Sequence, residues 1–172
     1  MATKRTVDIK LHPLSWKVLQ RQYHYDGYAV DLGRGWLYKM VLQCLRRHPV
    51  MAPWEFGRTP QGLVDGKVYI LEYDHNRYGG YLSIARQKSL SDIIERQERE
   101  RLCLLTATAH IYAQVPRDTA MRYFLDKEGY DDSEIAFPTL RKHYQRHFRH
   151  FEDDMLHDLK ELKSKNQHKS TQ

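Results

Sequence analysis

Ten consecutive residues, Arg141 to His150, hold four cations (Arg141, Lys142, Arg146, Arg149), three histidines (His143, His147, His150) and no acid. Two chemistries are open to such a set. His143 and His147 stand four apart and His150 three further on, so on one helix the imidazoles share a side and could hold zinc. Arginines flank them, however, and repel a dication. No cysteine is close, and glutamate is missing where an H-E-x-x-H motif needs it. No metal or other cofactor is therefore expected, and the imidazoles read as exposed rings that gain charge as pH falls. The other chemistry is contact with a polyanion. At 100° per residue, Arg141, Lys142, Gln145, Arg146 and Arg149 fall within about 140° of arc. They lie opposite Leu140, Tyr144, Phe148 and Phe151, so one side can pack while the other meets phosphates.

The remaining candidate residues offer no catalysis. Glu152, Asp153, Asp154 and Asp158 in "EDDMLHD" could hold Mg²⁺ if they converged. Successive residues of a helix point about 100° apart, so these acids read as a solvated side. No phosphate-cradling G-x-x-x-x-G-K-[ST], no G-x-G-x-x-G and no G-x-S-x-G occurs. A non-enzymatic protein is expected.

Charge gives a second candidate surface. The 172 residues carry a net +6. Residues 1–50 hold nine Lys/Arg against three acids, and the rest of the chain is balanced. Lys4, Arg5, Lys10, Lys17, Arg21, Arg34, Arg46 and Arg47 are the cations that would meet phosphates there. Tyr23, Tyr25, Tyr28 and Trp36, interleaved with Arg21, His24 and Arg34, could stack on bases or fill core edges. The two cysteines, Cys44 and Cys103, lie in apolar helical patterns and read as reduced core thiols of a cytoplasmic protein. The opening "MATKRTVDIKLHP" has no apolar run to serve as a secretory signal. No apolar stretch is long enough to span a membrane.

The elements that must position these residues follow from periodicity. Val7, Ile9 and Leu11 alternate with polar residues, which predicts a strand with one buried face. Pro13 opens a helix running to about Tyr23. A second is predicted from Gly35 to Arg47. "KVYILEY" and "YLSIARQ" are predicted to pair as a hairpin across "DHNRYGG". Ser89 or Ser91 should then cap a long helix to about Gln114, apolar nearly all round in its second half. Two short helices, "RDTAMRYFLDKEG" and "DDSEIAF", lead to a final long helix from Pro138. Leu140, Tyr144, Phe148, Phe151, Met155, Leu159 and Leu162 form a near-heptad seam along it. The expected fold is α+β and mostly α. It comprises a basic strand-helix-helix segment (1–50), a loop and β-hairpin (51–88), a helical domain (89–165) and a disordered tail (166–172).

Three resemblances follow. "VDIKL" before a Pro-started helix, a glycine-bearing loop and a second amphipathic helix resemble the ribbon-helix-helix family, which implies a strand shared between two subunits in the major groove. "SEIA" before a tight break and "TLRKHY" after it resemble a helix-turn-helix module. That likeness implies that Thr139 and Arg141 open a reading helix. The tail "AMRYFLDKEGYDDSEIAFPTLRKHYQR" is similar to small accessory proteins of phages and integrated elements of Bacteroidetes. The expectation is a non-catalytic protein binding duplex DNA, with a homodimer possible. The alternative is a protein–protein adaptor that dimerises through its last helix.

Overall fold

The computed structural model describes residues 3–47 and 62–169, with side chains described as far as Glu161. The fold is α+β and mostly helical, as composition and periodicity predict. The chain divides at Arg96 into two compact units.

The first unit is a small sheet with helices on one face. Strand β1 (Lys4–Leu11) buries Val7, Ile9 and Leu11, the alternation expected, and points Asp8 and Lys10 outward. Pro13 starts α1 (Pro13–Gln22), and β2 (His24–Tyr25) and β3 (Val30–Asp31) follow. Helix α2 spans Trp36–Cys44 and β4 spans Val64–Leu71. The sheet order is β1-β4-β3-β2, with β1 antiparallel and β3 parallel to β4.

The hairpin expected between residues 67 and 87 does not form. After β4 the chain enters α3 (Glu72–Tyr78) and then α4 (Ile84–Ala113). Of "YLSIARQ", only Tyr81 makes a bridge, to Arg46. The partner of β4 is β1, along its whole length from Lys4↔Leu71 to Leu11↔Val64. The same pairing takes one edge of the strand that the ribbon-helix-helix likeness assigned to a second subunit. At its other edge Gln87 accepts from the Lys10 amide and Ser91 Oγ accepts from the His12 amide at 3.1 Å. Ser89 and Ser91 therefore lie inside α4 and do not cap it. Ser89 Oγ instead donates to the Ala85 carbonyl at 3.0 Å.

The second unit, from Gln97, is helical. Its part of α4 buries Leu102, Cys103, Thr106 and Ala107. This is a single stripe, not an element apolar all round, since Leu104 and Tyr112 are exposed. Helix α5 (Arg117–Lys127) ends as expected at Gly129, whose φ of +63° suits a residue without a side chain. "DDSEIAF" is a run of turns, not a helix. Asp131 Oδ1 accepts from the Ser133 amide at 2.8 Å and the Glu134 amide at 3.1 Å, so its side chain competes with helical bonding. Helix α6 (Phe137–His147) follows, held to α5 by Arg122 stacked 4.0 Å over the Phe137 ring.

The long final helix is broken. Phe148, at φ −114° and ψ −17°, is the C-cap of α6, and α7 (Arg149–Lys169) sets off after it. Leu140 and Tyr144 of the expected seam are buried, whereas Phe151 beyond the break is 45% exposed. The backbone of residues 166–169, expected to be disordered, continues α7. Leu162, at the end of the seam, lies outside the described side chains.

Candidate functional site

Helix α6 exists because Pro138 suits a first turn and Leu140 and Tyr144, four apart, bury one side. The opposite side is open, as the arc predicts. Thr139, Arg141, Lys142, Gln145 and Arg146 are exposed, and Arg149 is exposed at the start of α7. Arg141 pairs loosely with Asp118 at 3.3 Å. The supporting helix implied by the helix-turn-helix likeness is absent, since turns precede α6.

The histidines separate. His147 and His150 are exposed, as expected. His143 is half-buried, its ring 4.7 Å from that of His147, and its Nε2 has no hydrogen-bond partner among the described residues. Burial, and then the charge of His147, push its pKa below the usual imidazole value, so it resists the protonation expected of an exposed ring. Among the described residues no three His, Cys, Asp or Glu gather as metal ligands.

Beside this surface the second unit encloses a cleft of about 560 Å³. Arg141, Gln145 and Arg149 reach it from α6 and α7, and Gln114 and Arg117 from the α4–α5 corner. Beneath them lies Glu152, which is fully buried. Arg117 donates to both its oxygens, Nε at 2.8 and 2.9 Å, with Nη2 at 2.7 Å from Oε1. The Tyr144 hydroxyl donates to Oε2, and His110 Nε2 stands 3.1 Å from Oε1. Burial by itself would raise the pKa of this carboxyl. The Arg117 and Tyr144 hydrogen bonds, with the charges of Arg117 and His110, outweigh it, and the pKa is lowered. The Tyr144 phenol is pushed up by burial and by the carboxylate it serves. His110 Nδ1 is 2.9 Å from the Val115 carbonyl, so both ring nitrogens have a polar neighbour.

The elbow at Phe148 makes this network. Residues eight apart on a straight helix lie about 12 Å along the axis and about 80° apart. Tyr144 and Glu152 meet only because the helix turns between them. Glu152 was expected on a solvated side. It is the exception among its neighbours, since Asp153, Asp154 and Asp158 are exposed. A similar arrangement recurs in the same unit. Buried Glu98 accepts from Arg101 at 2.6 and 2.8 Å and from the Tyr130 hydroxyl at 2.7 Å.

No protein family, curated protein or solved structure matches this chain.

The N-terminal candidates do not gather as the C-terminal ones do. Lys4 pairs with Asp31, Arg5 with Glu72 at 2.7 Å and Lys10 with Asp65 at 3.2 Å, which spends much of the local positive excess. Lys17 is half-buried on α1 and Arg21 exposed at its end. Arg34 is exposed in the loop before α2. Arg46 and Arg47 are exposed after α2, with Arg47 Nε donating to the Arg77 carbonyl at 3.2 Å. Of the aromatic loop, Tyr28 is 55% and Trp36 42% exposed. The Tyr28 hydroxyl accepts from Lys67 at 2.7 Å, and the same ammonium lies 4.4 Å from its ring centre. Cys103 is buried, with its thiol pKa raised to about 12 by burial, and Cys44 is half-buried. Sequence reasoning missed Arg117, His110 and Gln114. Their signal, a corner of polar residues around Pro116, carries no motif.

Proposed function

We propose that this is a non-catalytic protein that binds duplex DNA, as a regulator or a replication or recombination accessory of a mobile element. One observation carries the reading: a buried-backed helix, α6, without a single acid, presents Arg141, Lys142, Gln145 and Arg146 to solvent, and Arg149 extends the same surface. Lysines and arginines free to neutralise phosphates supply most sequence-independent affinity for DNA. The exposed cations of the first unit add to the net positive charge that draws a polyanion in. The mobile-element context rests on the tail resemblance alone.

An electrophoretic shift series on random duplex at several salt concentrations tests this. Replacing Arg141, Lys142, Arg146 and Arg149 with Ala should weaken binding and flatten the salt slope by roughly 2–4 units, about 0.9 for each phosphate no longer neutralised. An unchanged affinity and slope would remove α6 from the DNA surface.

A second reading has its own observation. Phe151 is 45% exposed on α7, with Met155 and Leu159 half-buried on the same helix. These residues suit an adaptor that dimerises through its last helix. Raised salt weakens DNA binding steeply but leaves an apolar helix contact intact.

A further inference from the structure

The cleft beneath α6 is more than an extension of a cationic surface. One of its cations, Arg117, is held in place by a buried carboxylate. Buried Glu152 grips the Nε and Nη2 edge of Arg117, so the guanidinium enters the cleft with its orientation already fixed and its remaining edge available. Arg141 and Arg149 line the same cleft from two other helices, as do Gln114 and Gln145. Among the described residues Arg141 is paired with Asp118, which also lines the cleft; both partners are about half exposed, and such a pair yields readily to a stronger anion. One oriented guanidinium and two further arginines lining the same cleft are the chemistry of a tetrahedral oxyanion with several acceptor oxygens. The volume, about 560 Å³, lies in the range of small-ligand sites. A phosphate in the middle of a duplex is flanked on both sides by the continuing backbone and offers only two free oxygens. A terminal phosphate offers more.

We propose that this cleft binds a phosphomonoester, its oxygens received by Arg117, Arg141 and Arg149 and its remaining polar groups by Gln114 and Gln145. The monoester is either a free mononucleotide or the 5′-phosphate of a DNA end. In the second case the inference rests on the DNA-binding reading, and in the first it stands without it.

The test uses the whole chain and three probes: inorganic phosphate, deoxycytidine monophosphate, and a short duplex with either 5′-phosphate or 5′-hydroxyl ends. Calorimetry with the first two should show one site per chain. Arg149→Gln and Arg141→Gln, both at exposed positions, should each weaken that binding roughly tenfold or more, the usual effect of losing a charged hydrogen bond. The double variant Lys142→Gln/Arg146→Gln, outside the cleft, should weaken the duplex and leave the monophosphate unaffected. Circular dichroism confirms that each variant is folded. A preference for phosphorylated over hydroxyl ends makes the DNA end the source, and binding of the mononucleotide without that preference makes it the free ester. Monophosphate binding with no duplex binding would sustain the site and overturn the DNA reading. Duplex binding indifferent to its ends, with neither phosphate nor mononucleotide bound at millimolar concentration, would overturn the site and leave the DNA reading standing. Monophosphate binding unchanged in both arginine variants would also overturn it.

Discussion

Glu152 shows how much one side chain can organise when its charge is kept out of water. The carboxylate is satisfied by Arg117, Tyr144 and His110 together. Removing one partner of a buried pair costs about 3–5 kcal/mol, because the other charge is left uncompensated. The Arg117 side chain is itself 41% exposed, so water screens part of that cost, and Arg117→Met should lower the unfolding free energy measured in urea by about 1–3 kcal/mol. The pH dependence has a definite sign. The folded pKa of Glu152 lies below the ordinary 4.5, so the folded state holds the ionised form more tightly than the unfolded chain does. Its contribution to stability is complete above about 4.5 and is lost as pH falls through the lower folded value. Denaturant midpoints measured from pH 6 downward should fall more steeply for wild type than for Glu152→Gln. Parallel curves would mean that another carboxylate governs the acid limb.

Single-strand and single-helix patterns are legible in this sequence where one face alone decides them. Val7, Ile9 and Leu11, Pro13 and Gly129 all lie as their chemistry predicts. The failures occur where a distant partner decides. "YLSIARQ" carries a plausible strand pattern, but Gln87 and Ser91 are needed by the edge of β1, which only a helix at that place supplies. The seam from Leu140 has sound spacing, and nothing local, neither glycine nor proline, marks the turn at Phe148. The cationic side of α6 was legible because it needs only the helix period. The cleft was not, since Arg117 and Glu152 are 35 residues apart. A glycine gives a test at this scale. A Cβ on Gly66 of β4 would stand 2.4 Å from the Trp16 ring of α1. Gly66→Ala should destabilise by about 1–3 kcal/mol, the cost of overpacking. Trp16→Leu in the same chain should recover part of that loss, as coupled neighbours do. Additive losses in thermal melts would show that the helix and strand do not meet at this point.

The chain carries a net charge of +6, and among the described residues no helix is long and apolar enough to cross a membrane. Its state of association is open to direct measurement. The adaptor reading pairs two copies through the α7 face that carries Phe151. Light scattering at micromolar concentration should then give twice 20.6 kDa, and Phe151→Lys should halve it. A mass near 20.6 kDa at every concentration would leave the α7 face uncovered and remove the dimer. The order in which the Glu152 cluster is assembled follows from the direction of synthesis. His110, Arg117 and Tyr144 leave the ribosome first, and the anion that satisfies all three arrives last. Until α7 emerges, the nascent helices hold two or three donors around a missing acceptor, and water must solvate them. The buried polar network of the second unit is therefore complete only once Glu152 has been made.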